Sequence, residues 1–454
     1  MIDSSHRLEN DHKRAIHLVP LLIMHILRDL LPNSKDYLGL RKSWRHDLMA
    51  GITVGIVALP LAMAFGITTG SGAQSGLITA ILAGLIAALL GGSRFQVSGP
   101  TGAMTVVLVP IVTQYGISAL APLGLLAGII IVLAGVFRAG NIINKTPWPV
   151  MEGFTLGIAM VIGLQQAPTA FDFHKAPGTH TLFVAINTAK NAISAGVNWS
   201  AISLVVFTLV VKFGYPFISR KLKIKFHIPA SFVAIVFATV VATALHLDTS
   251  TVGKLPSKIF KVSSLHFGNL PLSALIIASI EIAILGALES LLSARVADQM
   301  AHIHEPELKY QPNRELFGQG IATMVASVFG GMPATGAIAR TSVNVRSGAK
   351  TRMSAVFHAI FLVVVVLLLN PVISRVPTAA LAGVLIGTSY RIASPANLKE
   401  LMKTTKINIA AIFITAFSVL FIDLIWGILI GTVFFFLATK ISEFIKREAK
   451  APLS

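Results

Sequence analysis

The stretch "GMPATGAIART" (residues 331–341) lies between long apolar runs, yet it holds two glycines, a proline, two threonines and an arginine. A related stretch, "SGPTGAMTVV", occupies residues 98–107. Laying "TGAM" (101–104) over "TGAI" (335–338) sets an offset of 234 residues. The same offset carries an apolar run at 48–66 onto 282–300, one at 118–137 onto 352–371 and one at 148–165 onto 382–399. Those targets fall in or beside apolar runs of the second half. Matching interruptions in matching frames predict an internal repeat, and a repeat with an odd number of spans inserts upside down relative to the first.

Composition sets the solvent. Of 454 residues, 54% are hydrophobic and 12% charged, and mean hydropathy is +0.77. A soluble domain carries about 25% charged residues. The chain therefore reads as an all-α integral membrane protein, because its apolar runs are too long and too uniform for barrel strands. Fourteen spans are predicted, at 48–66, 73–91, 101–113, 118–137, 148–165, 198–216, 229–246, 273–299, 314–330, 336–346, 353–371, 378–391, 407–422 and 424–441. They divide into transmembrane repeat 1 (48–246) and repeat 2 (273–441), with tails at 1–47 and 442–454. The weakly apolar stretch 181–195 reads as an interfacial helix, and an amphipathic patch at 15–31 as lying on the membrane surface.

An even number of spans puts both termini on one side. Of 37 Lys and Arg residues, 30 then fall in or beside the tails and loops of that side and six on the other, leaving Arg340 within a span. This asymmetry predicts cytoplasmic termini in a cell membrane. The net charge of +18 faces anionic lipid rather than nucleic acid. With no cysteine, disulfides and thiolate metal sites are excluded. There is no Walker loop and no serine–histidine–acid arrangement, and spacings such as His302/His304 specify no metal, so neither an enzyme nor a cofactor is expected.

The two related stretches begin the two shortest spans. About a dozen helical residues cross roughly half the hydrocarbon. Pro100 and Pro333 lack a backbone donor, and their glycines accept non-helical backbone. The expectation is an extended segment reaching the midplane, then a half-helix, twice, with the two N-termini facing each other. Free N–H groups and the positive end of the helix dipole favour an anion there. Thr101, Thr105 and Thr335 add hydroxyls.

Two charges fall within spans. Arg340 reads as a second positive element for an anion or as a structural ion-pair partner. Glu289, in "ILGALESLLSARVADQM", could carry a coupling proton, ligate a cation or pair with Arg340, with Ser293 one turn on. Asp298 and Arg295 read as solvated or gating residues, Glu152 as a lesser candidate, and Gln165 and Gln166 as caps at the outer interface.

The stretches "GITVGIVALPLAMAFGI" (51–67), "VSGPTGAMTVV" (97–107), "LGALESLLSARVAD" (285–298) and "NRELFGQGIATMVASVFGGMPATGAIARTSVNVRSGAKT" (313–351) resemble the SulP (sulfate permease-like) anion transporters. The resemblance implies two inverted seven-segment repeats forming a core and a gate domain, usually in a homodimer. It implies sulfate, bicarbonate, chloride or dicarboxylate as substrate, seated between half-helices 3 and 10. Carried onto this sequence, the site comprises Thr101, Gly102, Ala103 and Met104, and Gly336, Ala337, Ile338, Ala339 and Arg340, with Phe65 and Gln96 as walls. The family's STAS domain does not follow "ISEFIKREAKAPLS", so the chain reads as a member without one or as part of a longer protein. Sodium-coupled bicarbonate members resemble the chain but place Asp at the position of Glu289 and Thr at that of Ile338, and lack Arg340. Proton coupling through Glu289, or exchange, is expected instead. A passive anion channel and a nucleobase permease of the same fold remain the alternatives, the latter disfavoured by Arg340.

Overall fold

A computed structural model describes residues 29–448 except 38–39, 144, 179, 223–227, 255–261, 263–269, 394–398, 400 and 423. Most of the amphipathic patch at 15–31 and the last residues of the C-terminal tail lie outside the described residues. The principal helices, in chain order, begin with α1 (Leu40–Thr69), α2 (Ala73–Leu90), α3 (Gly102–Tyr115), α4 (Leu120–Val136) and α5 (Trp148–Leu164). They continue with α6 (Thr181–Ala195), α7 (Trp199–Lys221), α8 (Ala230–Ala244), α9 (Leu272–Met300) and α10 (Pro312–Val328). The last five are α11 (Ile338–Arg346), α12 (Met353–Ile373), α13 (Thr378–Ile392), α14 (Lys406–Phe421) and α15 (Leu424–Glu448). Each expected span coincides with one of these helices, and α6 occupies the stretch read as interfacial.

Eight helical stretches among the described residues are long and apolar enough to cross a bilayer, with mean hydropathy from 1.3 to 2.7. Three shorter ones, α3, α8 and α14, are apolar but have only 14 to 16 residues. Length and hydropathy alone therefore return fewer crossings than the fourteen expected. Helices α10, α11 and α13 are not among those returned, and on α10 the polar residues face the protein interior. On α10, Glu315, Gln319, Thr323 and Ser327 recur every fourth residue, which sets them on one helical face, and all four are buried.

Helices α1, α2, α4, α9, α10 and α12 pack into one group, and α5, α7, α8, α13, α14 and α15 into another. The first group owes its close packing to small residues. A Cβ on Gly128 of α4 would stand 2.6 Å from the carbonyl oxygen of Gly320 on α10, and one on Gly320 2.6 Å from that of Gly128. Without lipid-excluding hydrophobicity to drive association, such backbone proximity is what holds membrane helices together.

Polar staples fix the end of this group nearest the start of α1. Asp47, buried on α1, accepts from the backbone N–H groups of Lys350 (2.7 Å) and Thr351 (2.9 Å) and from the hydroxyls of Thr351 (2.7 Å) and Ser43 (2.9 Å). Arg352 donates to the carbonyls of Ala88, Leu89 and Gly91 at the C-terminal end of α2, where a cation complements the dipole. Asp36 pairs with both Arg352 (3.3 Å) and Arg314 (2.9 Å).

Two readings of charged residues are corrected here. Asp298 is buried and accepts from the Tyr310 backbone N–H at 2.7 Å, which makes it a loop anchor rather than a solvated residue. Lys212, on the basic side of the orientation count, is buried within α7, where its ammonium donates to the Val384 carbonyl (2.5 Å) and the Thr388 hydroxyl (2.7 Å) of α13.

Candidate functional site

The two proline-glycine stretches meet. Residues Ser98–Gly99 (β1) and Thr335–Gly336 (β2) form a two-stranded antiparallel ladder, Ser98 opposite Gly336 and Gly99 opposite Thr335. Each strand runs directly into a helix, β1 into α3 and β2 into α11. The extended backbone before each half-helix is thus satisfied by the other stretch, which is how irregular backbone survives deep in a membrane protein.

Glu289 of α9 closes the junction. Its Oε2 accepts from the hydroxyls of Thr335 at 2.6 Å and Thr101 at 2.9 Å, and those hydroxyls lie 3.4 Å apart. Charge-assisted bonds of this length are the strong ones. The carboxylate does not pair with Arg340 among the described ion pairs. The Arg340 guanidinium is 1% exposed and donates from Nη2 to the Pro100 carbonyl at 3.0 Å, while its Nε and Nη1 have no partner among the described residues. It lies across β1, and a Cβ on Gly99 would stand 2.6 Å from Nη1. Glycine at 99 is what gives the guanidinium its seat.

The expected backbone donors separate into spent and unspent groups. Met104 N–H is capped by Thr101 Oγ1 at 3.5 Å. Gly336 N–H donates to Ser290 Oγ (3.0 Å) and Ala337 N–H to the Val97 carbonyl (3.2 Å). These three are therefore not available to a ligand. First-turn N–H groups have no intrahelical acceptor, and α11 has no side-chain cap. Gly102 and Ala103 on α3, with Ile338, Ala339 and Arg340 on α11, keep backbone N–H groups without an acceptor among the described residues. The side chains of Ala103 and Met104 point into the hydrophobic core, so only backbone at those positions can face a ligand.

Phe65 lies against the start of α3, its Cε1 3.6 Å from where a Cβ on Gly102 would be. Gln96 is not a free wall residue: it donates to Glu315 Oε1 at 2.6 Å and is wedged behind Gly336. Ser293 donates to Thr341 Oγ1 at 3.0 Å, so it serves α11 and not Glu289. The single Thr105 hydroxyl proton is shared between Gly102 O (2.6 Å) and Gln165 Oε1 (3.1 Å). Gln165 is the C-cap residue of α5, and the buried Gln166 side chain donates to the Ile162 carbonyl in the last turn of α5 at 3.1 Å and meets Thr68, so the pair closes the end of that helix as expected. Glu289 and Ile338 are half-buried and Ala339 is exposed, so the junction is open on that flank.

A supporting layer escaped the reading of the sequence. Ser98 donates to Gln319 at 2.6 Å, Gln319 and Thr323 both donate to the Ala334 carbonyl (2.8 and 3.1 Å), and Glu315 accepts from Ser93 N–H at 2.8 Å. The fourfold spacing of polar residues on α10 was a visible signal for it. His358 on α12 is fully buried with neither ring nitrogen partnered among the described residues, and a lone histidine in an apolar run gave no signal.

The geometry has known relatives. The sulfate permease family model matches residues 44–415. The "Putative sulfate transporter YvdB" of Bacillus subtilis is 37% identical over 424 residues, covering 88% of this chain and 75% of that protein. The bicarbonate transporter BicA of Picosynechococcus is 30% identical over 356 residues, covering 75% of this chain and 60% of that one. The solved transmembrane domain of a cyanobacterium bicarbonate transporter BicA superposes with a TM-score of 0.75 at 27% identity, covering 87% of this chain and 97% of that domain. The chain is a multi-pass integral membrane protein and belongs to the sulfate permease family.

Proposed function

We propose that the chain is a secondary active transporter of small anions (sulfate, bicarbonate or a dicarboxylate) working by alternating access. Family membership supports anion transport. The observation that carries the site is the convergence of two unspent helix N-termini beside a carboxylate that ties both half-helices together. The anion would sit on the N–H groups of Gly102 and Ala103 and of Ile338 to Arg340, with the Arg340 guanidinium as fixed positive charge behind them and Phe65 as an apolar wall. Free N–H groups recognise the charge of an oxyanion without demanding one shape, which suits a family whose named relatives carry different anions.

Glu289 would couple the cycle. Protonated, it keeps its two threonine bonds but adds no negative charge to an anion site; ionised, it opposes the anion. A proton and an anion would then bind together and leave together. The fourteen segments would form two inverted repeats, one helix group moving as a core against a gate, in a homodimer with cytoplasmic termini. Thr101 and Thr335, separated by the repeat offset of 234 residues, touch each other, as equivalent residues do at a pseudo-twofold axis.

Uptake of radiolabelled sulfate, bicarbonate and succinate into proteoliposomes, side by side and against an imposed proton gradient, tests the reading. Accumulation of at least one above equilibrium is expected. Uptake that never exceeds equilibrium would make the protein a passive pathway, and no uptake of any would remove the anion site.

A further inference from the structure

Helices α1, α3 and α5 end around a cavity of about 450 Å³, on the opposite end of the bundle from the Asp47 and Arg352 staples. Val109, Val112, Val161 and Leu164 give it apolar walls, and no carboxylate of the described residues lines it. Its lining cation is Lys175, whose ammonium donates to Thr113 Oγ1 near the end of α3 at 3.5 Å. The nearby Asp172 is occupied elsewhere, accepting from Asn198 (3.3 Å) and the Ser250 N–H (3.0 Å). Lys175 therefore has no ion pair among the described residues.

One lining residue reaches toward the junction. Gln165 lines the cavity and accepts from Thr105 through Oε1, leaving its amide nitrogen without a partner among the described residues. Thr105 is four residues beyond Thr101, about 6 Å along the helix axis. A lysine near the C-terminus of α3 gains from the helix dipole, but that gain requires neither a cavity nor an amide held open beneath it. The volume takes a small anion with several waters, at about 30 Å³ each.

We propose that this cavity is a second anion site, in which Lys175, beside Thr113, draws in a partly hydrated inorganic oxyanion and Gln165, beside Thr105, meets it at the end one helical turn from the junction. It concentrates the anion at the mouth and receives it on exit. The proposal rests on the reading of the chain as an anion carrier, but its test does not.

The chain has no cysteine, so Thr169→Cys, on the cavity wall, supplies a single thiol. In the reconstituted full chain its labelling rate is measured with a sulfonatoethyl methanethiosulfonate (negative) and with methyl methanethiosulfonate (neutral). Adding Lys175→Gln is expected to slow the negative reagent about tenfold and leave the neutral one within about twofold, with Lys175→Arg restoring the rate. Sodium sulfate is expected to protect the thiol when Lys175 is present and not after Lys175→Gln. Equal slowing of both reagents, or equal sulfate protection with and without Lys175, would overturn the proposal and leave Lys175 as a helix cap. Sulfate uptake adds a separate reading, a raised KM at unchanged maximal rate for Lys175→Gln. Failure of all uptake would sink the transport function without altering the labelling result.

Discussion

Gly99→Ala tests the junction through its tightest contact. The new methyl would stand 2.6 Å from Arg340 Nη1 and 3.0 Å from both Cζ and Nη2. The guanidinium is buried, and its one hydrogen bond, to the Pro100 carbonyl, is adjacent to the intrusion. Overpacking of a filled interior costs about 1–3 kcal/mol. Displacing a charged donor from its acceptor costs a further ~1.5–3 kcal/mol. Residue 99 also has φ +156, so alanine adds a backbone penalty of about 1 kcal/mol. The sum is roughly 3–5 kcal/mol after partial relaxation. Unfolding entropy of about 0.9 kcal/mol/K for a chain of this size puts the fall in apparent Tm near 3–6 °C.

The control is Gly214→Ala on α7, where a Cβ meets nothing within 4 Å and φ is helical. It should leave stability unchanged or raise it by up to ~1 kcal/mol. The decisive comparison is Gly99→Ala in an Arg340→Ala background. With the guanidinium gone, only the backbone penalty of about 1 kcal/mol remains, so a coupling of ~2–4 kcal/mol should appear in the cycle. Heating the purified protein in detergent and following its folded fraction by size exclusion supplies the four values. Equal penalties in both backgrounds would refute the placement of Arg340 across β1, and with it the fixed charge behind the proposed site.

Asp47→Ala should lower apparent stability by about 3 kcal/mol or more, since it strands four donors, two of them backbone; a variant that melts with the parent in the same detergent assay would contradict the staple. Thr335→Val should cost ~1.5–3 kcal/mol through the lost 2.6 Å bond to Glu289, whereas Thr335→Ser should recover most of it, as read by the same melting experiment. Glu289→Gln keeps an acceptor oxygen for both threonines but cannot ionise. Its anion uptake should lose the dependence on an imposed proton gradient, and a variant that still responds to the gradient as the parent does would remove Glu289 from coupling.

Hydropathy was sufficient for the helices because each apolar run had to meet lipid or a neighbouring helix; the ends of α2, α5, α9 and α12 fall within two residues of the expected spans. Length and hydropathy together return eight candidate crossings rather than fourteen, and the polar α10 and α11 are not among them. Proline, glycine and threonine told where helix gives way to extended backbone, since those residue types limit donors and dihedrals locally. Thr101 and Thr335 became candidates on that ground, and Glu289 and Arg340 because ionisable residues inside apolar spans are costly.

What the sequence determined by itself, then, is the solvent, the helices and the two stretches that meet at the junction, because these follow from composition and local geometry. The tertiary structure alone decided who bonds whom. Glu289 has two threonine partners and not Arg340; Arg340 has a carbonyl from the other half of the chain; Met104, Gly336 and Ala337 had already given up their N–H groups. Hydrogen bonds are short-ranged and each donor has few protons to give. Apart from the local Thr101 cap on Met104, their assignment therefore depends on which atoms arrive within about 3 Å, across sequence separations of 46 to 240 residues that no local pattern encodes.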